Sequence, residues 1–151
     1  MLAIISPSKT QDFSQCDIDI FSQTRQIESS NELIGILKNK SKSQIAKLMS
    51  ISEKLSELNF DRFQNFHLPF TLKNAKQAIL AFKGDVYNGI NAPELSHEDL
   101  EFAQGKVRML SGLYGVIRPL DLIQPYRLEM GTKLSNEKGS DLYDYWGSDI
   151  S

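Results

Sequence analysis

The chain opens on a short apolar run, Leu2 to Ile5, closed by Ser6-Pro7. Such a run predicts a buried strand that passes straight into the loop Ser6-Pro7-Ser8-Lys9-Thr10, because proline holds the residue before it in extended backbone. Residues 11 to 29 are polar and weakly patterned and read as connection. From Ser30 the period becomes helical. Leu33, Ile34 and Leu37 share one face, with Ser30 as a suitable N-cap. A second helix starts at Ser43 with Ile45, Leu48 and Met49, and a third at Ser50, where Ser50-Ile51-Ser52-Glu53 has capping-box spacing ahead of Leu55 and Leu58. Phe60, Phe63 and Phe66 recur every third residue, which lays aromatic rings on a core in a short helical segment until Pro69 ends it. Thr71 is placed to cap the helix formers from Lys73 to Gln77, and the apolar run Ala78 to Phe82 fits either a buried strand or the end of that helix.

Eight of the nine glycines fall between Gly84 and Gly147, so turns and strands should dominate the second half. Ser96-His97-Glu98-Asp99 is laid out like a capping box, with Asp99 in place of the usual Glu or Gln, and opens a helix ending near Gly105. Val107 to Leu110 reads as a strand, and Asp141 to Trp146 begins another helix-like pattern. No clean terminating signal precedes Asp149-Ile150-Ser151, so the chain reads as cut off. No repeat, low-complexity tract or linker marks a domain boundary. The expectation is one α+β domain, helical in its first half and rich in strands and turns in its second.

Composition narrows the function. With 151 residues, 40% hydrophobic and 24% charged, the chain can bury a real core. Seventeen Lys and Arg against nineteen Asp and Glu give a net charge of -2, so any polyanion site must be a local patch. The N-terminus has no positively charged n-region, and its apolar run stops at Pro7; it predicts a cytoplasmic protein with no membrane partner. Cys16 stands alone and reads as an ordinary residue, with a redox sensor as the alternative. His67 and His97 are the only histidines, and Cys-x-x-Cys, GxGxxG, Walker and G-x-S-x-G patterns are missing, so neither a metal nor a cofactor is expected.

Three segments carry candidate chemistry. In Ser6 to Thr10, two hydroxyls, backbone N–H groups and Lys9 can hold a phosphate or carboxylate; the plainer reading is a strand-ending turn. In Ala81 to Gly89, Lys83 precedes Gly84 with Asp85 nearby, and Tyr87 offers a ring for stacking; a turn with a surface ion pair explains the same residues. The strongest signal runs from Arg108 to Gly131, where Arg108, Arg118 and Arg127 with Tyr114 and Tyr126 can form a nucleic-acid or phosphate surface. Gly112-Leu113-Tyr114-Gly115 also spells the GXXG of a clamp loop, a pattern short enough to arise by chance.

Ile5 to Thr10, Gln77 to Tyr87, Arg108 to Gly131, and Asp141-Leu142-Tyr143 with Trp146-Gly147 together closely resemble the YaaA family of peroxide stress proteins, over essentially the whole chain. Ser8 stands where the family usually has alanine. The resemblance implies a bacterial cytoplasmic protein of the hydrogen peroxide response that keeps unincorporated iron low. It also implies the mixed α/β "cantaloupe" architecture, a positively charged cleft, binding to double-stranded or branched DNA, and a helix-hairpin-helix element. The closely spaced helices from Ser43 to Asn59 are the candidate for that element. Family members are longer, so this chain corresponds to the N-terminal part of the domain.

These readings converge on an anion site made of Ser6, Lys9, Thr10, Lys83, Arg108, Tyr114, Arg118, Tyr126 and Arg127, with no catalytic residue assigned. The rival is an enzyme for a phosphorylated or nucleotide-like molecule, with Asp85, Asp121 or Glu129 as general base. A third reading is structural: Arg118 and Arg127 pair with Asp121 and Glu129 to hold loops.

Overall fold

A computed structural model describes residues 2–147, so the unterminated stretch Asp149-Ile150-Ser151 lies outside the described residues. The architecture is α+β. The described residues fall into two compact units, each assembled from three separate stretches of chain: 2–25, 69–110 and 116–125 in the first, and 26–68, 111–115 and 126–147 in the second. Because the stretches interleave, no linker separates them, and the sequence accordingly shows no boundary.

Strand β1 (Ala3–Ile5) pairs in parallel with β3 (Val107–Ser111) in the register Ala3↔Val107, Ile4↔Arg108, Ile5↔Met109, and β3 pairs on its other side with β4 (Gly115–Ile117). The strand at the N-terminus is as expected, but its burial is not: Ile4 is 65% exposed. The cause is position, since β1 lies at the sheet edge with a single strand neighbour among the described residues.

A second, two-stranded sheet pairs β2 (Lys76–Gln77) antiparallel with β5 (Leu122–Ile123). The helix expected over Lys73 to Gln77 is therefore absent. Thr71 caps a single turn instead, accepting from Lys73 N at 3.2 Å, while Asn74 accepts from Thr71 N at 2.8 Å and donates to Pro69 O at 2.9 Å. Those local bonds end the turn before a helix can propagate. The apolar run then forms a short buried helix, α4 (Ala78–Ala81), the helical member of the two alternatives.

Helices α5 (Asp85–Ile90) and α6 (His97–Lys106) follow, with Ser96 accepting from Asp99 N at 3.1 Å to open α6. Ile79, Leu80, Ala92, Leu100 and Leu120 form the core of the first unit, with Ile18 and Ile20 packed against it. The apparently unpatterned segment after residue 11 is thus anchored. Gln77 Nε2 donates to Ile18 O at 3.1 Å and Ile20 O at 2.8 Å, and Ser22 exchanges backbone bonds with Leu120 and Leu122.

The second unit holds α1 (Ile27–Lys38), α2 (Lys42–Met49), α3 (Glu53–Asn65) and α7 (Leu142–Trp146). Leu33, Ile34, Leu37, Ile45 and Phe63 are buried as the sequence reading expects, but Leu55 and Leu58 are exposed, because α3 turns the face of Ser56, Asn59 and Phe63 inward. The caps differ. Ser30 lies inside α1, donating to Gln26 O at 3.2 Å, rather than at its start. The capping box is Ser41 with Gln44, two residues before the expected start of the second helix, and Ser50 is the left-handed C-cap of α2 at φ 54°. Ser52 caps α3 by accepting from Leu55 N at 3.2 Å. Ser50 and Glu53 have the right spelling, but Ser50 is committed to ending one helix and cannot begin the next.

Candidate functional site

The first two motifs meet within the first unit. Lys83 N donates to Thr10 O at 2.9 Å and Asp12 N to Ala81 O at 2.7 Å, which docks the loop after β1 on the segment joining α4 to α5. Gly84, at φ +130°, lets the chain turn there, and a Cβ on it would sit 3.6 Å from Ser8 Oγ. Ser6, Lys9, Thr10 and Lys83 are thereby gathered into one neighbourhood from opposite halves of the sequence. Tyr87 is part of its frame. Its hydroxyl donates to Ser6 O at 2.6 Å, its ring tilts against Phe82 at 5.4 Å, and burial pushes its phenol well above the ordinary range. A ring so enclosed has no open face for a base.

Lys76, read from the sequence as a helix former, belongs to the same neighbourhood. It is 9% exposed, and its Nζ donates to Asp12 O at 3.0 Å. Burial lowers its pKa, partly offset by Asp12. The Asp12 carboxylate accepts Ser14 N at 2.8 Å, and that bond is the main reason its pKa is lowered; Lys76 and Lys83 add to the effect.

Arg108 and Arg118 also lie in the first unit, where both are engaged with protein. Arg118 donates from its backbone N to Asp121 Oδ2 at 2.8 Å, from Nε to Oδ1 at 3.0 Å, and from Nη2 to Gln23 O at 2.8 Å. Asp121 is fully buried; it also accepts the Ser22 hydroxyl at 2.6 Å, and Gln104 extends the network through Ser22 Oγ and Leu120 N. Arg108 Nη1 donates to Gln104 O at 2.6 Å and Val107 O at 2.8 Å, placing a cation on the last carbonyls of α6. Burial lowers its pKa, and the nearby Arg25 and Arg118 add to the effect. The structural reading of Arg118 thus describes its contacts.

In the second unit, Tyr114 and Tyr126 pack edge to face at 5.1 Å inside the core, 0% and 3% exposed, with the Ser111 hydroxyl donating to Tyr126 at 2.9 Å. Neither ring offers a stacking platform. The Gly112-to-Gly115 turn is likewise buried and cannot clamp a nucleic acid. Its glycines answer packing. A Cβ on Gly112 would strike Leu128 O, while Gly115 sits at φ +73° with the Trp146 ring 2.9 Å from its Cβ position.

Arg127 has a different setting. With Lys47, Ser50, Glu129, Gly131, Thr132 and Lys133 it lines a cavity of about 510 Å³ beside the α2–α3 turn. Its side chain is 20% exposed, its Nε is buried without a hydrogen-bond partner, and its Nη2 lies 3.7 Å from Glu129 Oε1. That separation is an ion pair but not a hydrogen bond. Burial lowers the pKa of Arg62, and the charge of Arg127 contributes further. Lys47 and Lys133 are exposed at the cavity. The sequence reading missed both, because Lys47 lies within a helical pattern and Lys133 two residues past the arginine-rich phrase.

Among the described residues, no group of three or more His, Cys, Asp or Glu is placed to hold a metal ion, and no helix is long and apolar enough to cross a membrane. The sequence model of the peroxide stress protein YaaA family matches residues 1–151. The motifs docked around Thr10 and Lys83, the buried glycine turn and the Arg127 cavity are therefore features of a chain that belongs to the peroxide stress protein YaaA family.

Proposed function

We propose that this chain acts in the peroxide stress response by contacting DNA through clustered cations, in the cytoplasm of a bacterium, and so limits oxidative damage driven by free iron. The observation that carries the reading is the Arg127 cavity. A guanidinium whose Nε has no partner stands there with two exposed lysines and two hydroxyl side chains, Ser50 and Thr132, beside the turn between two short helices. Arginine, lysine and hydroxyl donors are the groups that bind phosphate oxygens. On this reading the α2–α3 pair is the helix-hairpin-helix element, with Ser50 taking the left-handed position that glycine commonly supplies.

Ser6, Lys9, Thr10 and Lys83 supply a second set of phosphate contacts in the first unit. Arg108 and Arg118 act on binding through the loops they hold, and Tyr114 and Tyr126 through the core. The test is a titration of labelled duplex and branched DNA with the protein at low and then rising salt. Binding that weakens steeply as salt rises is expected. Failure to bind either DNA at low salt overturns the reading.

A further inference from the structure

We infer that Lys76 is an amine nucleophile that captures a small neutral aldehyde or ketone, as an imine, in the cavity it lines. This goes beyond the DNA reading and uses a different part of the molecule from the Arg127 cavity.

Placement is the first argument. Lys76 stands on β2, paired with Ile123 of β5, so the sheet fixes its backbone. It lines a cavity of about 550 Å³ whose residues all belong to the first unit, a volume of the size that holds a small molecule. Phe13, Ile18 and Pro125 give that cavity apolar lining.

Pairing is the second argument. A buried lysine is ordinarily held by a carboxylate. Lys76 is 9% exposed, yet its one hydrogen bond runs from Nζ to the backbone O of Asp12 at 3.0 Å, and among the described residues no carboxylate lies within ion-pair distance of it. A carbonyl accepts from a neutral amine as it does from an ammonium, so this contact does not require the charge. Burial is the main reason the pKa of Lys76 is lowered; Lys83 adds to the effect, while Asp12 and Cys16 oppose it. Desolvation beside a second cation is the setting that activates a lysine for addition to a carbonyl group.

Charge selects the ligand. With the Lys76 amine neutral, Lys73 faces Asp17 and Asp19 at the lining, one cation against two carboxylates, and all three are exposed. Such a lining repels phosphates and carboxylates and leaves a neutral carbonyl compound as the class that fits. Once the ammonium has given a proton to water, Nζ adds its electron pair to the carbonyl carbon and the π pair moves to oxygen, which takes up a proton. Loss of that oxygen as water leaves a C=N bond. Amine and aldehyde thus give an imine and one water, with nothing oxidised or reduced.

The test treats the folded protein with propionaldehyde and cyanoborohydride, which reduces an imine to a stable N-propyl amine, and reads the label at each lysine by peptide mass spectrometry. Lys76 is expected to be labelled at least about tenfold faster than the exposed Lys73 at pH 7, with a rate that levels off at lower pH. The lead should vanish in urea, where the fold no longer desolvates the amine. It should also vanish when glyoxylate, an anionic aldehyde, replaces propionaldehyde, and return with glyoxylate in an Asp17→Asn, Asp19→Asn double variant. The rates of the unaltered protein decide the matter without any variant having to fold. Labelling of Lys76 no faster than Lys73 overturns the inference and leaves Lys76 a structural residue. A lead that is equal for both aldehydes overturns the assignment of a neutral ligand.

Discussion

Asp121 holds Arg118 by both its backbone and its side chain, with Oδ2 accepting the amide at 2.8 Å and Oδ1 accepting Nε at 3.0 Å. The carboxylate is wholly buried and Ser22 also donates to it, so the pair closes the turn before β5 and ties in the segment around residue 22. Removing one member leaves the rest of the network unsatisfied. Asp121→Ala should therefore destabilise the protein by roughly 3–5 kcal/mol in urea denaturation. An effect below about 1 kcal/mol, the range of surface pairs, would show that the network does not hold the loop.

The cap assignments give a second expectation. Ser41→Ala removes a reciprocal capping box and should cost about 1 kcal/mol, whereas Ser50→Gly relieves a left-handed serine and should stabilise by about 0.5–1 kcal/mol. Both are read from thermal or urea unfolding, and a loss of stability in Ser50→Gly would contradict the position of the α2 C-cap.

Those caps also show what the sequence makes legible. The faces of α1 and α2 are readable because period defines them, and Leu33, Ile34, Leu37 and Ile45 pack; the face of α3 is not, because it buries the polar Ser56 and Asn59 with Phe63 and leaves Leu55 and Leu58 exposed. Boundaries were not readable, because Ser41-x-x-Gln44 and Ser50-x-x-Glu53 spell equally good boxes and only the tertiary fold decides which serine is free to start a helix. The proximity of Thr10 to Lys83 was carried by motif wording, but the burial of Tyr114 and Tyr126 was not, since aromatic rings beside arginines look alike whether they face solvent or core. Lys76 was misread for a physical reason: a lysine gives no sign in sequence that a backbone carbonyl, Asp12 O, will hold its ammonium inside the fold.

The glycine turn gives a third expectation. Gly115→Ala meets both a positive φ and the Trp146 ring, and should cost roughly 2–4 kcal/mol. Gly131→Ala meets nothing within 4 Å at an ordinary φ and should change stability by less than about 1 kcal/mol. Urea midpoints of the two variants, measured side by side, check the contrast; equal losses would contradict the packing of Trp146 on Gly115.

Alkaline pH probes Tyr87. Burial raises its folded-state pKa above the ordinary value of about 10. The unfolded chain therefore loses that proton first, so the contribution is intact below pH about 10 and is lost as pH rises beyond it. Tyr145, raised chiefly by burial and also by its bond to Glu32, acts in the same direction. The difference in stability between the protein and Tyr87→Phe should accordingly shrink above pH about 10. A difference constant to pH 12 would contradict the enclosed phenol.

The most direct test of the central claim, that cations around Arg127 contact DNA phosphates, is the slope of log binding constant against log salt for duplex DNA, measured for the protein and for a Lys47→Ala, Lys133→Ala double variant. Each lost phosphate contact should flatten the slope by about 0.9, so the double variant should be flatter by about 1.8. The same slope in both proteins would contradict the claim.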